Sequence, residues 1–306
     1  MNIQNKTFFI TGGTGFIGKA IIKTLLSYRA KIYCYGRSKT KIENTFGKNV
    51  IPITEIPLKD FYNKIDYVIH AACPTDSSIL KNNPTYVIDS IYTLTKQSLE
   101  FAKLHKARFL YLSSMEVYDG LDGYLTEDKV ASFNPAIARN SYPIGKILSE
   151  LLVNSYHKEY DLNTAIVRLS NIFGPGCDKE SNKFFNYVIK QTLKNENIVL
   201  KTTGNKIHNS CFIDDAVNQI LLILNSDSNE TFNITNENYA LTINEICNKI
   251  IKLSNSSSTV IHELEEGIYP KDSKHIISGQ KIKKLFTFKQ TDFESALKLT
   301  IDYFKN

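Results

Sequence analysis

Several features are missing from this chain of 306 residues, and each absence narrows what it can be. No apolar run approaches the ~18 residues that a membrane span requires, so no membrane association is expected. The chain opens on a strand-like run, without the charged region, apolar segment and cleavage site of a secretion signal, and no such signal is expected. Internal repeats and long low-complexity segments are absent; the Ser/Asn-rich stretch Ser254 to Ser258 reads as a surface loop. The five cysteines (Cys34, Cys73, Cys177, Cys211 and Cys247) are odd in number, scattered and without C-x-x-C spacing. Disulfides and a metal site are therefore not expected, and a reducing cytoplasm is the natural setting. The net charge of +6 comes almost entirely from lysines spread along the chain, with short clusters such as Lys281, Lys283 and Lys284. A nucleic-acid binder gathers such charge on one element with arginine and aromatics, so no nucleic-acid partner is expected. The mild positive field suits a small anionic substrate.

The first informative stretch is Thr7-Phe8-Phe9-Ile10-Thr11-Gly12-Gly13-Thr14-Gly15-Phe16-Ile17-Gly18. A short apolar run ends in clustered glycines, and a helical pattern (Ile17, Ala20, Ile21, Leu25) follows at once. Helix N-termini present unpaired N–H groups and a partial positive charge, which favour phosphate. Glycine serves where backbone must turn sharply or approach a pyrophosphate. Gly12, Gly15, Phe16, Ile17 and Gly18 are thus candidate cofactor contacts. A second strand, Lys31 to Tyr35, leads into Gly36-Arg37-Ser38. An NAD-binding fold places an acid here, about 20 residues past the glycines, to hold the ribose 2′-hydroxyl. Arginine stands there instead, so Arg37 and Ser38 predict NADP(H) ahead of NAD(H).

Further on, residues 50–53, Asp66 to Ala72, Arg108 to Ser113 and Asn163 to Leu169 read as strands. Helical periodicity runs from Pro84 to Lys106 and from Tyr142 to Tyr160. The alternation predicts an α/β fold: a Rossmann-type, doubly wound parallel sheet covered on both faces. Ala71 lies where small residues let backbone pass a cofactor. Residues 1–170 are expected to form the dinucleotide-binding domain. Residues 171–306 are expected to be mainly a smaller α/β substrate-binding portion, with elements at about 210–235 returning to the sheet.

Tyr142-Pro143-Ile144-Gly145-Lys146 puts a phenol and an ammonium four residues apart on one helix face. A lysine cation favours the phenolate and brings its pKa toward the working range. Ser114 stands at the carboxyl end of the preceding strand, where open α/β sheets bind ligands.

Together, Gly12-x-x-Gly15-x-x-Gly18, Ser113-Ser114-Met115-Glu116-Val117-Tyr118 and Tyr142-x-x-x-Lys146 resemble the extended short-chain dehydrogenase/reductases, and within them the nucleotide-sugar epimerase/dehydratase group. Arg168-x-x-Asn171-x-x-Gly174-Pro175-Gly176, Phe212-Ile213-Asp214-Asp215 and Leu241-Thr242-Ile243-Asn244-Glu245-Ile246 match further landmarks, so the resemblance spans essentially the whole chain. It implies that Tyr142 exchanges a proton with a sugar oxygen as hydride moves to or from nicotinamide, and that Ser114 hydrogen-bonds the same oxygen. Lys146 would lower the Tyr142 pKa and hold the nicotinamide ribose. Asn171 would bind the diphosphate of a nucleotide sugar, and Thr75, Ser78 and Glu116 would approach the sugar. A homodimer through the helices at about 85–105 and 142–160 is also implied.

Three departures qualify the resemblance. Sugar 4,6-dehydratases of the group carry Asp-Glu where this chain has Met115-Glu116, and methionine cannot protonate a departing hydroxyl. A diphosphate-clamping arginine is replaced by His208. A second, near residue 270, is missing, with Lys271 or Lys274 to stand in; lysine does not reproduce a bidentate arginine. The first functional expectation is therefore an NADPH-dependent reductase of a keto group on a nucleotide-activated sugar, such as a CDP-linked ketose giving a CDP-alditol, in capsule or lipopolysaccharide precursor synthesis. The alternative is an epimerase or decarboxylase that retains its NAD(P). A dinucleotide-sensing regulator is disfavoured, because Tyr142 and Lys146 are both kept.

Overall fold

A computed structural model of the chain describes residues 3–59, 61–264 and 275–306. The chain divides into two compact units, one of Met1–Asp119, Val130–Leu169 and Val217–Phe232, the other of Gly120–Lys129, Ser170–Ala216 and Asn233–Asn306.

The first unit is built on β1 (Thr7–Thr11), β2 (Lys31–Tyr35), β3 (Ile51–Ile53), β4 (Tyr67–His70) and β5 (Arg108–Ser114), followed by the strand Thr164–Leu169. With Thr231–Ile234 at one edge they make a seven-stranded sheet, in which β4 and β5 lie on one side of β1 and β2 and β3 on the other. Every neighbouring pair from β1 to Thr164–Leu169 is parallel. The strands are apolar on both faces because helices cover both, as in β1, where Phe8, Phe9 and Ile10 are fully buried. Strand order reverses between β1 and β4, the switch point at which such sheets bind ligands.

Helix α1 (Phe16–Ser27) buries Gly18, Ile21, Ile22 and Leu25, the i, i+3, i+4, i+7 stripe of an amphipathic helix. Helix α2 (Lys39–Phe46) is capped by Ser38, whose hydroxyl accepts from the Lys41 N–H. A short α3 (Ser77–Asn82) precedes α4 (Pro84–His105), which begins on proline, tolerated in a first turn. Helix α5 (Ser141–Tyr160) departs from simple amphipathicity. Its buried face carries Tyr142, Lys146, Ser149 and Glu150 alongside Val153 and Tyr156. Its close neighbour is α4; a Cβ at Gly145 would come within 3.0 Å of Ile91.

The second unit is assembled from short elements. It contains the helix Phe184–Leu193, the helix Ile243–Ser254 with a capping box between Thr242 and Glu245, and the final helix Phe293–Lys305. Two-stranded pairings join Ser210–Phe212 to Asn171–Phe173 and His275–Ile277 to Gly123–Leu125. The helix Phe184–Leu193 begins after the extended Lys183, its N-cap. Among the described residues no helix is long and apolar enough to cross a membrane.

Candidate active site

The glycine turn closes against the end of β4. Gly12 has φ +72°, and a Cβ there would sit 2.6 Å from the backbone of Ala71 and Ala72. A Cβ on Gly18 would lie 2.2 Å from the Gly12 carbonyl oxygen, so α1 packs onto the turn only because this residue is glycine. Gly15 is the N-cap of α1 and offers no side-chain cap. The first N–H groups of the helix are thus left for another acceptor, and a Cβ at Gly15 would meet only the Gly12 oxygen at 3.2 Å. This cradle, donor-rich and bare of side chain, fits a dinucleotide pyrophosphate. Arg37 is exposed beyond β2 and donates to the Tyr86 hydroxyl of α4 at 3.1 Å.

Tyr142, in the first turn of α5, is 7% exposed, and Lys146, one turn on, is 3% exposed. The Lys146 ammonium donates to the Leu112 carbonyl of β5 at 2.8 Å. It lies 4.8 Å from the Tyr111 ring centroid and 5.8 Å from that of Tyr142. Burial pushes the Tyr142 phenol well above its ordinary range, and the pull of Lys146 and of the Ser114 hydroxyl only partly offsets it. Lys146 thus pulls the phenol down, in the direction expected, but desolvation outweighs that pull. Burial also works against the Lys146 charge, yet Cys73, Tyr111 and Tyr142 together hold that ammonium above its ordinary value. The Ser114 hydroxyl caps the turn that follows β5 by accepting from the Glu116 N–H at 3.2 Å.

Two partners were invisible to sequence reading. Arg139, just before α5, donates to the Glu116 carboxylate at 2.9 Å. Cys73, after β4, sits beside Lys146, and burial raises its thiol while Lys146 opposes the shift. Beneath them lies a buried ion pair. Arg168 makes a bidentate contact with Glu150 of α5, Nη2 to Oε2 at 2.7 Å and Nε to Oε1 at 3.0 Å, and donates to the Tyr118 hydroxyl at 2.8 Å. The Ser113 hydroxyl donates to the same Glu150 at 2.6 Å. Strand end, helix and turn are thereby tied together one residue from Ser114.

Thr75 and Ser78 are exposed in the segment between β4 and α4. The Ser78 N–H is taken by Asp76, the N-cap of α3. In the second unit, Asn171 donates to the Asn209 carbonyl at 2.9 Å. The His208 ring packs against Phe184 and Phe185, with centroids 4.8 and 5.4 Å away. Burial, assisted by Lys206, lowers its pKa to about 4, so His208 is neutral and cannot replace an arginine as a cationic clamp. Lys271 and Lys274 lie outside the described residues.

With this geometry in view, comparisons with known proteins place the chain. It is 27% identical over 318 residues to a UDP-N-acetyl-alpha-D-glucosaminuronate decarboxylase of Bacillus cytotoxicus, covering 99% of this chain and 98% of that one. It is likewise 27% identical over 241 residues to UDP-glucuronic acid decarboxylase 6 of Arabidopsis thaliana, 76% of this chain and 70% of that one. Its fold matches a UDP-glucuronic acid 4-epimerase from Bacillus cereus, solved with UDP-glucuronic acid and NAD, with TM-score 0.81, 22% identity and coverage of 98% and 99%. A UDP-glucose 4-epimerase of Thermotoga maritima gives TM-score 0.83 at 19% identity, covering 98% of each chain. The sequence profile of the NAD dependent epimerase/dehydratase family matches residues 8–235, and the chain belongs to that family.

Proposed function

We propose that this enzyme acts on a nucleotide-diphosphate sugar, foremost by decarboxylating a nucleotide-linked uronate, and that its nicotinamide cofactor is reduced and reoxidised within each cycle. The observation that carries the reading is the group at the end of β5: Ser114 beside Tyr142 and Lys146, with Glu116 held by Arg139 and no dehydration acid at Met115. The two sequence relatives named above are decarboxylases and the two structural neighbours are epimerases, and both kinds favour a retained cofactor over the NADPH-dependent net reduction that Arg37 first suggested.

In this reading Tyr142, as phenolate, takes the proton from a ring hydroxyl whose oxygen Ser114 holds. A nicotinamide dinucleotide held by the glycine turn and Lys146 would supply the hydride acceptor and later the donor. Oxidation two carbons from a carboxylate gives a β-keto acid, whose C–C bond breaks to release CO2 and leave an enolate. A proton from solvent water turns that enolate into a ketone, and its reduction, with Tyr142 giving back its proton to the oxygen, would complete the cycle. Lys146 stabilises the phenolate throughout and would hold the cofactor ribose, and Thr75 and Ser78 approach the substrate.

At the ribose end, no acid lies between Lys31 and Ile42, and this together with Arg37 supports acceptance of NADP(H) ahead of NAD(H). Residues 1–170 serve the dinucleotide and most of 171–306 the sugar. A homodimer is supported by the apolar side chains left exposed on α4 (Tyr86, Ile88, Tyr92) and α5 (Leu148, Leu151, Tyr160).

The test is incubation with UDP-glucuronate, UDP-N-acetylglucosaminuronate and UDP-glucose, with products followed by NMR and nicotinamide by absorbance. A decarboxylated sugar without net change in nicotinamide is expected. Epimerised sugar instead would redirect the reading to an epimerase, and steady NADPH consumption on a nucleotide-linked keto sugar would restore the reductase.

A further inference from the structure

At the end of β4, beside the glycine turn, stands a fully buried histidine that belongs to none of the motifs above. We propose that His70 is a positioning residue for the cofactor turn, gripping Thr11 through Nδ1 so that Gly12 and Gly13 are held against Ala71 and Ala72. The proposal rests on the dinucleotide reading of that turn.

One set of proton positions satisfies every hydrogen bond around the ring, including the Ser98 hydroxyl of α4, 3.4 Å from Nδ1, as a second and longer donor to it. The Thr95 hydroxyl of α4 donates to the Ile91 carbonyl at 2.7 Å, so its oxygen accepts from His70 Nε2–H at 3.1 Å. His70 Nδ1 then carries a lone pair, which accepts from the Thr11 hydroxyl at 2.7 Å. The Thr11 oxygen in turn accepts the Ala72 N–H at 3.2 Å, while the Thr11 carbonyl accepts the Ala71 N–H, also at 3.2 Å. Thr11 is the last residue of β1 and the one before Gly12, so this bond fixes the point from which the turn departs. On its far side the network reaches α5, where Ser149 contacts Thr95 at 3.1 Å. The ring is stacked on Tyr111 at 5.6 Å, and Tyr111 is the ring nearest the Lys146 ammonium. Burial and the nearby Lys146 keep the imidazole neutral, with a pKa of about 3, as an acceptor at Nδ1 requires. A space-filling role would need none of these polar partners.

Two amide replacements separate positioning from packing. Asparagine places its oxygen near Nδ1 and keeps the bond from Thr11; glutamine reaches toward Nε2 and keeps Thr95 but loses Thr11. Calorimetry of NAD+ and NADP+ binding to cofactor-stripped protein is expected to show about tenfold weaker affinity in His70→Gln and in Thr11→Val, with rescue to within about twofold in His70→Asn. Thr11→Val is nearly isosteric and reads the same bond should the glutamine variant not fold. Nitrogen-15 NMR of the folded wild type at neutral pH is expected to show His70 as the Nε2–H form. Equal binding by Thr11→Val and wild type, equal losses in His70→Asn and His70→Gln, or an Nδ1–H form would each overturn the proposal. A wild-type protein that binds neither dinucleotide overturns the reading of the turn itself, and the proposal with it.

Discussion

Tyr142 poses a problem of protonation, because burial raises its phenol and the reaction proposed above needs its phenolate. The oxidative step is therefore expected to accelerate with rising pH through the neutral and alkaline range. Replacing Lys146 with Met removes the cation that opposes the shift, so the acid limb of the pH–rate profile moves further up. Tyr142→Phe is expected to lower turnover by about 10²–10⁴ while nicotinamide stays bound, measured by initial rates and by cofactor extracted from the purified variant. His70 gives a stability prediction. Its folded pKa of about 3 lies below the ordinary 6.5, so between those values the unfolded chain binds the extra proton. Stability is unaffected above pH 6.5 and falls on acidification toward pH 3, and thermal melts of His70→Asn should show a flatter decline over that window. At this scale the sequence was partly legible. That Ser114, Tyr142 and Lys146 lie together could be anticipated, the serine from its place at a strand end and the other two from their four-residue spacing. Arg139 could not, since its partner Glu116 is 23 residues away and only the fold brings them together.

At the scale of elements, α1 and α5 show two ways in which a helix is bound to this sheet. Gly18 lets α1 touch the turn, and Gly18→Ala forces a Cβ into backbone that cannot yield. A loss of more than about 2 kcal/mol in denaturant melts is expected. Helix α5 is bound by charge, through the nearly solvent-free pair of Glu150 and Arg168. Glu150→Ala leaves the guanidinium buried and unpaired, an expected cost of about 3–5 kcal/mol. The double change of Glu150 and Arg168 to Met should recover most of that stability. Periodicity located α5 but could not mark its buried face, because Lys146, Ser149 and Glu150 count as surface residues in any hydrophobic pattern. The strand, turn and helix at residues 7–27 were legible because glycine, apolar and helical signals there agree.

For the molecule as a whole, the alternation of strands and helices was enough to anticipate the parallel sheet. It could not show that Gly120–Lys129 groups with the second unit, since tertiary contact, not local pattern, defines the units. Leu151 is 62% exposed on α5, and if this face joins two copies, Leu151→Asp should convert a dimer to a monomer in sedimentation velocity. The edge strand Thr231–Ile234 has a consequence for synthesis. It covers the strand Thr164–Leu169, yet it leaves the ribosome 62 residues later (231 minus 169), roughly 3–12 s at ordinary elongation rates. For that interval the nascent sheet carries an open edge able to pair with another chain. A fragment ending near residue 170 would hold Ser114, Tyr142 and Lys146 and still be no minimal enzyme, but a template for aggregation.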